Sequence, residues 1–167
     1  MVEIIEANEN HIPVIVQMAE TTWAATYSTI LRPKQMRYML DTIYGFETLR
    51  RVMKDGSQRF FLLKDNEGFA GFASYGRRQE DPRIVKLHKI YILPTSQGKG
   101  YGKRLIDHVK LELAGQDVKA LDLNVNRYNP AQEFYKKLGF KIIGEEDVPI
   151  GQYYMNDYVM RLELRKL

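Results

Sequence analysis

Gly98, Gly100 and Gly102 stand at alternate positions after a β-branched run that ends in Leu93-Pro94 and before a stretch with helical periodicity. A backbone without Cβ atoms can approach a ligand closely, and the first N–H groups of a following helix face that ligand with the positive end of the helix dipole behind them. The chemistry this favours is anion binding, and the spacing narrows the choice. A P-loop needs glycine at 97 and Ser or Thr at 104, where Gln97 and Arg104 stand; the dinucleotide fingerprint needs glycine at 103, where Lys103 stands. What fits is Gln-x-x-Gly-x-Gly over 97–102, a cradle for a pyrophosphate; the alternative is a glycine-rich turn with no ligand.

Other chemistries are excluded by composition. The chain has no Cys, so it has no thiolate nucleophile, disulfide framework or thiolate metal site, and His11, His88 and His108 are too scattered for metal-ligand spacing. A metal-independent site is expected. The formal net charge is +4, but the basic residues that cluster (Lys99, Lys103 and Arg104; Lys136 and Lys137) lie on two elements that suit a phosphate-rich cofactor, so no specific nucleic-acid partner is needed. No apolar run approaches membrane-spanning length, and Met1-Val2-Glu3-Ile4-Ile5 begins directly as a strand. A cytoplasmic protein with no membrane partner is expected.

The elements that must position these residues follow from periodicity. Residues 3–6 form a strand; Asn8 or Asn10 caps an amphipathic helix through Ile12, Val16, Met18, Ala19 and Trp23; Pro33 opens a second helix and residues 46–53 a third. Residues 60–63 and 68–73 flank the hairpin turn Asp65-Asn66-Glu67-Gly68. Then come a long strand at 84–93, a helix from 98 to about 113, a parallel strand at 121–125, a compact helix at 130–138, and a closing pair at 141–145 and 154–164. Asn129 suits the N-cap of the compact helix, Pro130 its first position and Gly139 its C′. At 167 residues, 44% hydrophobic and 28% charged, residues 1–167 make one domain with one substantial core.

In its strand-turn-helix setting, the 97–102 motif resembles the acetyl-coenzyme A motif of GNAT-type N-acetyltransferases. Residues 124–140, with Asn124-Val125-Asn126, the Asn129 turn and Phe134-Tyr135-Lys136-Lys137-Leu138-Gly139-Phe140, resemble the other half of that family's signature. The resemblance spans essentially the whole chain and is strongest over 87–140. It implies an α/β (α+β) fold, a single domain whose central mixed sheet is flanked by helices and contains a splayed pair of parallel strands. It implies acetyl-coenzyme A as cofactor, held by Ile90, Tyr91, Ile92, Gln97, Gly98, Lys99, Gly100, Tyr101, Gly102, Lys103, Asn129 and Tyr135. The implied reaction is direct attack of a neutral amine on the thioester in a ternary complex.

Tyr135 matches the family's tyrosine general acid; its alternative is a core aromatic beside Phe134 and Phe140. Two positions depart from the family pattern. Lys86 stands where many members place a strand Glu, and Tyr128 stands where the cofactor-contacting Asn usually lies, so Asn129 either contacts the cofactor or only caps its helix. Strand alternation places Lys86, His88 and Ile90 on one face, and Asp122 with Asn124 on one face of the next strand. His88, with a pKa near neutrality, is the candidate base; a structural histidine and a water chain ending at backbone carbonyls are its alternatives.

The acceptor side is less specific. Thr21-Thr22-Trp23-Ala24-Ala25-Thr26-Tyr27 and the helix after it resemble bacterial spermidine/spermine-type acetyltransferases, which implies an amine pocket bounded by Glu20, Trp23 and Tyr27. Tyr153, Tyr154, Asn156, Asp157 and Tyr158 are candidates for the opposite wall, with Tyr154 chosen among them for substrate contact. The expected acceptor is a primary amine on a small molecule, polyamine-like by preference. The alternatives are a peptide N-terminus or lysine, or a non-catalytic acetyl-coenzyme A sensor. The resemblance also allows a homodimer through the closing strands.

Overall fold

Every strand from Arg59 to Ile92 carries apolar residues in adjacent positions, as in Phe60-Phe61-Leu62-Leu63, so its sheet must be covered on both faces. In the computed structural model, which describes residues 1–164, this is what is found. Seven strands, β1 (Glu3–Glu6), β2 (Arg59–Asp65), β3 (Gly68–Arg77), β4 (Ile84–Ile92), β5 (Ala120–Asn126), β6 (Lys141–Ile150) and β7 (Tyr153–Glu163), form one sheet in the order β1-β2-β3-β4-β5-β7-β6. All neighbours are antiparallel except β4 and β5.

One face is covered by α1 (Ile12–Tyr27), α2 (Pro33–Tyr44) and α3 (Phe46–Lys54), which bury Ile12, Ile15, Ala19, Met39 and Leu49 against Phe60, Leu62, Phe72 and Met155. The other is covered by α4 (Tyr101–Leu113) and α5 (Gln132–Lys137); Leu105, Ile106 and Val109 pack there against Phe61, Leu63, Val85, Leu87 and Leu121. Side chains as fully buried as Leu62, Leu63 and Leu105 each contribute about 1.5–3 kcal/mol through lost contact with water.

Among the elements whose bounds differ from expectation, α4 and β6 are instructive. Helix α4 begins at Tyr101 and not at 98, because Gly98 (φ 83°) and Gly100 (φ 79°) adopt the left-handed conformation and cannot belong to the helix. Strand β6 runs on through Glu145-Glu146-Asp147 to Ile150, beyond the expected end at 145. Those charges read as a solvated strand end, yet an edge strand needs only one partner and accepts exposed charge and Pro149.

Candidate active site

The parallel pairing of β4 with β5 covers Ile84↔Ala120 to Leu87↔Leu123 and then stops, although β4 runs on beside β3 to Ile92 and β5 beside β7 to Asn126. The cause is local. His88 is an extra residue in β4, since Ser74 pairs with Lys89 and Tyr75 with Leu87, and a bulge bends and twists the strand that carries it. Beyond it Leu93 N–H donates to Ala70 O on the β3 side, at 2.8 Å. Alternation along the strand therefore turns the Tyr91 N–H toward β3 and aims the N–H groups of Ile90 and Ile92 at the gap between β4 and β5.

The glycine turn closes one end of that gap. A short 3-10 turn, Pro94–Ser96, follows β4, and Gln97 Nε2 donates to Ile92 O at 3.2 Å. A Cβ at Gly98 or Gly100 would meet nothing within 4 Å, so both leave open space beside a left-handed backbone. Gly102 is different: its Cβ would lie 2.9 Å from Phe134 Cζ, so its lack of a side chain serves the contact between α4 and α5. The first turn of α4 leaves the N–H groups of Tyr101, Gly102 and Lys103 without helical acceptors. Two expected contact side chains are committed elsewhere, Tyr101 Oη to Asp65 at 2.8 Å and Lys103 Nζ to Asp107 at 2.8 Å. Lys99 Nζ lies 6.0 Å from the centre of the Tyr101 ring.

A group of aromatic side chains lies along the gap. Tyr135 on α5 is buried, with ring centres 5.3 Å from Phe134 and 5.9 Å from Phe140; burial, and then the neighbouring Tyr91, push its hydroxyl well above the usual tyrosine range. Tyr27 is likewise shifted upward, first by burial and then by Tyr91, while the Asn129 amide opposes the shift. Trp23 packs 4.7 Å from Tyr27 and 6.2 Å from Tyr44, and its Nε1, sealed from solvent, acts on the Tyr44 and Tyr91 hydroxyls without a well-formed hydrogen bond among the described residues. Trp23 and Tyr27 are thus core residues whose polar ends reach toward the gap. Asn129 does not cap α5; its Oδ1 accepts from Ala131 N at 2.9 Å in the preceding turn.

Three expected positions fall outside this cluster. Glu20 is on the outer face of α1, 3.3 Å from Arg37, in a groove of about 470 Å³ between α1 and α2. Tyr154 is 59% exposed, because alternation along β7 gives the helix-covered face to Tyr153 and Met155. His88 lines a groove of about 430 Å³ with Ser57, Arg77, Arg78, Gln79, Glu80 and Lys86. The bulge also breaks the expected shared face: Ile90 packs with Val85 and Leu87 on the α4 side, whereas Lys89 turns to the α2 side. His88 is solvent-exposed; neighbouring atoms, then the charges of Lys86, Lys89 and Arg78, shift its imidazole downward. His88 thus lies in a groove lined by cations.

Two carboxylates of the sheet have opposite surroundings. Asp122, fully buried on β5, is held by Arg161 Nε at 2.7 Å and Arg78 Nε at 3.0 Å. Asp157 on β7, 7% exposed, has no Lys, Arg or His within 4 Å among the described residues, and receives only Asn124 Nδ2 at 3.3 Å. Burial raises its carboxyl, partly opposed by Asn124 and Lys86.

A family model described as an acetyltransferase (GNAT) domain matches residues 27–156. The chain belongs to the GNAT acetyltransferase family. It is 29% identical over 148 residues to an uncharacterised N-acetyltransferase of Mycobacterium tuberculosis, covering 88% of this chain and 94% of that protein. It is 33% identical over 99 residues to the ribosomal protein bS18-alanine N-acetyltransferase of Haemophilus influenzae, covering 58% of this chain and 64% of that one. The crystal structure of PaiA N-acetyltransferase from Thermoplasma acidophilum in complex with coenzyme A has the same fold, with a TM-score of 0.82 over 98% of this chain and 99% of that one at 21% identity.

This GNAT chain is therefore an acyltransferase. Of the residues singled out in its sequence, Ile90 and Ile92 lie on the length of β4 that β5 does not pair, Gln97, Gly98 and Gly100 follow it in the turn, and Tyr27 neighbours Trp23 and interacts with Asn129, Tyr91 and Tyr135. Asp157, named only among candidates for a pocket wall, and Tyr44 are additional polar groups around Tyr27. Asp157 pairs with Asn126, the last residue of β5, a juxtaposition set by the β5–β7 register and by no local motif.

Proposed function

We propose that this acetyltransferase moves the acetyl group of acetyl-coenzyme A to a primary amine of a small molecule by direct attack with both bound. The observation that carries the reading is the opening between β4 and β5 beyond Leu87 and Leu123, with the left-handed Gly98–Gly100 turn at its end. Bound acetyl-coenzyme A supplies an activated acyl thioester. The residues present fit it: Gly98, Gly100 and the free N–H groups at the start of α4 would cradle the pyrophosphate, with Lys99 close by. The N–H groups of Ile90 and Ile92 would bind along the gap and stabilise negative charge developing on the carbonyl oxygen, being fixed by β3 before reaction. Asn129 would hold the chain that enters the gap. Tyr135, kept protonated by its raised pKa, would give its proton to the leaving sulfur.

A small acceptor suits the closed side of the cleft. Tyr38 on α2 meets the β6–β7 hairpin, with ring centres 5.5 Å from Tyr153, and roofs the space over β7. A polyamine-like amine is the acceptor we favour, since Glu146 pairs with Asp157 on one face of the sheet, while Glu145 and Asp147 lie on the other face and are offset by Arg127 at 3.7 and 3.1 Å. The second reading is a peptide amine, favoured by the likeness to the Haemophilus alanine N-acetyltransferase.

Two measurements test this. Calorimetry with coenzyme A should show one site per chain. Thiol release from acetyl-coenzyme A should accelerate with spermidine or butylamine more than with a lysine-containing tripeptide. No heat of binding would remove the cofactor assignment, and preference for the tripeptide would transfer the acceptor assignment to the second reading.

A further inference from the structure

The acceptor reading above leaves open which groups receive the amine, and the inference drawn here rests on that reading. We propose that Asp157 and Asn124 form the amine subsite, and that Asp157 takes the proton the amine gives up. The two side chains lie on the same face of neighbouring strands, Asn124 facing Val159 and Asp157 facing Asn126 in the β5–β7 register. Asn124 Nδ2 donates to Asp157 Oδ2, which leaves Asn124 Oδ1 sealed from solvent with no donor among the described residues. A carboxylate without a counter-ion and a buried carbonyl without a donor stand side by side, each costly to leave unmet. What both lack is hydrogen and positive charge. A primary ammonium supplies three N–H donors and one charge, whereas a carboxylate or phosphate would be repelled.

The groups around the carboxylate are consistent with this use. Arg127 lowers the carboxyl through its charge but makes no ion pair with it: its Nε donates to the Asp157 main-chain oxygen at 3.3 Å, and its Nη2 reaches Asp147. Lys86 on β4 acts on Asp157 from beyond ion-pair distance, as does Glu146 on β6 with the opposite sign. The charge of Asp157 is also felt at the hydroxyls of Tyr27 on α1 and Tyr91 on β4, and Tyr91 in turn acts on Tyr135. Tyr27 and Tyr91 thus lie within electrostatic reach of both Asp157 and Tyr135. Asp122, on the same face of β5, is satisfied by two guanidinium groups and is no competitor.

The proton balance closes. The amine enters as an ammonium ion, gives one proton to Asp157 and becomes nucleophilic. Its nitrogen bonds to the acetyl carbon and the carbon–sulfur bond breaks. Sulfur takes the Tyr135 proton, which the second nitrogen proton restores, and the proton on Asp157 leaves to solvent. In water an ammonium ion does not readily protonate a carboxylate, but in a buried site both charged partners lose solvation and the neutral pair is favoured.

Asp157→Asn is nearly isosteric and keeps an oxygen for Asn124, so the variant should fold and bind coenzyme A like the parent. Spermidine and butylamine are the probes. Calorimetry without acetyl-coenzyme A should show amine affinity lowered by about tenfold or more, the order expected when an ammonium loses its only charge-assisted partner. Thiol release should fall by about 10²-fold or more, and the acidic limb of kcat/KM should disappear. Asn124→Leu removes a donor that favours the ionised carboxylate and should move the same limb to higher pH. Parent-like amine affinity, or an unmoved limb, in Asp157→Asn overturns the proposal. A parent protein that binds the probes but releases no thiol with them condemns the acetyl-transfer reading instead, and the calorimetric comparison still decides the subsite.

Discussion

Replacing Tyr135 by Phe separates chemistry from packing more cleanly than any other change at this site. The ring is clamped between Phe134 and Phe140, and both contacts survive in the variant. Among the described residues no group hydrogen-bonds its hydroxyl, and the oxygen is not one of the sealed unpaired atoms, so it keeps some exposure. No protein hydrogen bond is lost, and the stability change should stay below about 1 kcal/mol. The rate should respond differently. Loss of a positioned general acid costs about 10²–10⁴-fold, and the lower figure corresponds to about 2.7 kcal/mol at 1.36 kcal/mol per decade. The assay is single-turnover thiol release with saturating acetyl-coenzyme A and amine, beside a thermal melt and a coenzyme A titration. Because burial pushes this hydroxyl upward, the parent should show no loss of rate from Tyr135 ionisation up to about pH 10, the usual tyrosine value. A Phe variant that turns over at the parent rate, with chemistry limiting, makes Tyr135 a packing residue and leaves the thiolate to water.

Gly100→Val and Gly102→Val should fail in different ways. The first forces a β-branched residue into the left-handed region, about 1–2 kcal/mol, and should weaken coenzyme A binding measured by calorimetry; the second meets Phe134 and should lower the melting temperature even without ligand. Asp122→Ala strands Arg78 and Arg161 beside a buried strand and should cost about 3 kcal/mol in a urea titration, with a loss below 1 kcal/mol counting against the reading. Lys89, buried with only Gln58 Oε1 at 2.8 Å and two aromatic faces, has its ammonium lowered to about 7. Between pH 7 and about 10.4 the unfolded chain then binds more protons than the folded one, so stability should rise with pH across that window, and Lys89→Met should remove the rise. Parallel stability curves for parent and variant would show that Lys89 keeps its charge when folded.

The sequence exposed those parts of the fold that short-range chemistry controls. The hairpin turn at 65–68, Pro33 at the start of α2, and Gly139 (φ 101°) behind α5 all stand where turn, first-turn and C′ preferences put them. The glycine turn was legible as irregular backbone between β4 and α4, but not the division of labour within it, because a glycine required for φ > 0 and one required by a phenylalanine from another helix are identical as letters. Lys103 and Tyr101 were counted toward a ligand for the same reason, while their partners Asp107 and Asp65 are a helix turn and a hairpin away.

The candidate general base was the hardest residue to read, and the reason is geometric. Strand alternation is a sound rule only while the strand is regular, and the one irregular residue of β4, His88, is the residue the rule was asked to place. The bulge separates Lys86 from Ile90, moves His88 into a groove of cations, and ends the pairing with β5, so the feature that opens the gap is also the one that defeats the sequence argument about its lining. A carboxylate missing from β4, where Lys86 stands, and one present on β7, at Asp157, are far apart in the chain. They become alternatives only when β5 and β7 pair in the register that sets Asp157 opposite Asn126, and that register depends on the length and bulge of a closing hairpin whose charged half looked like surface.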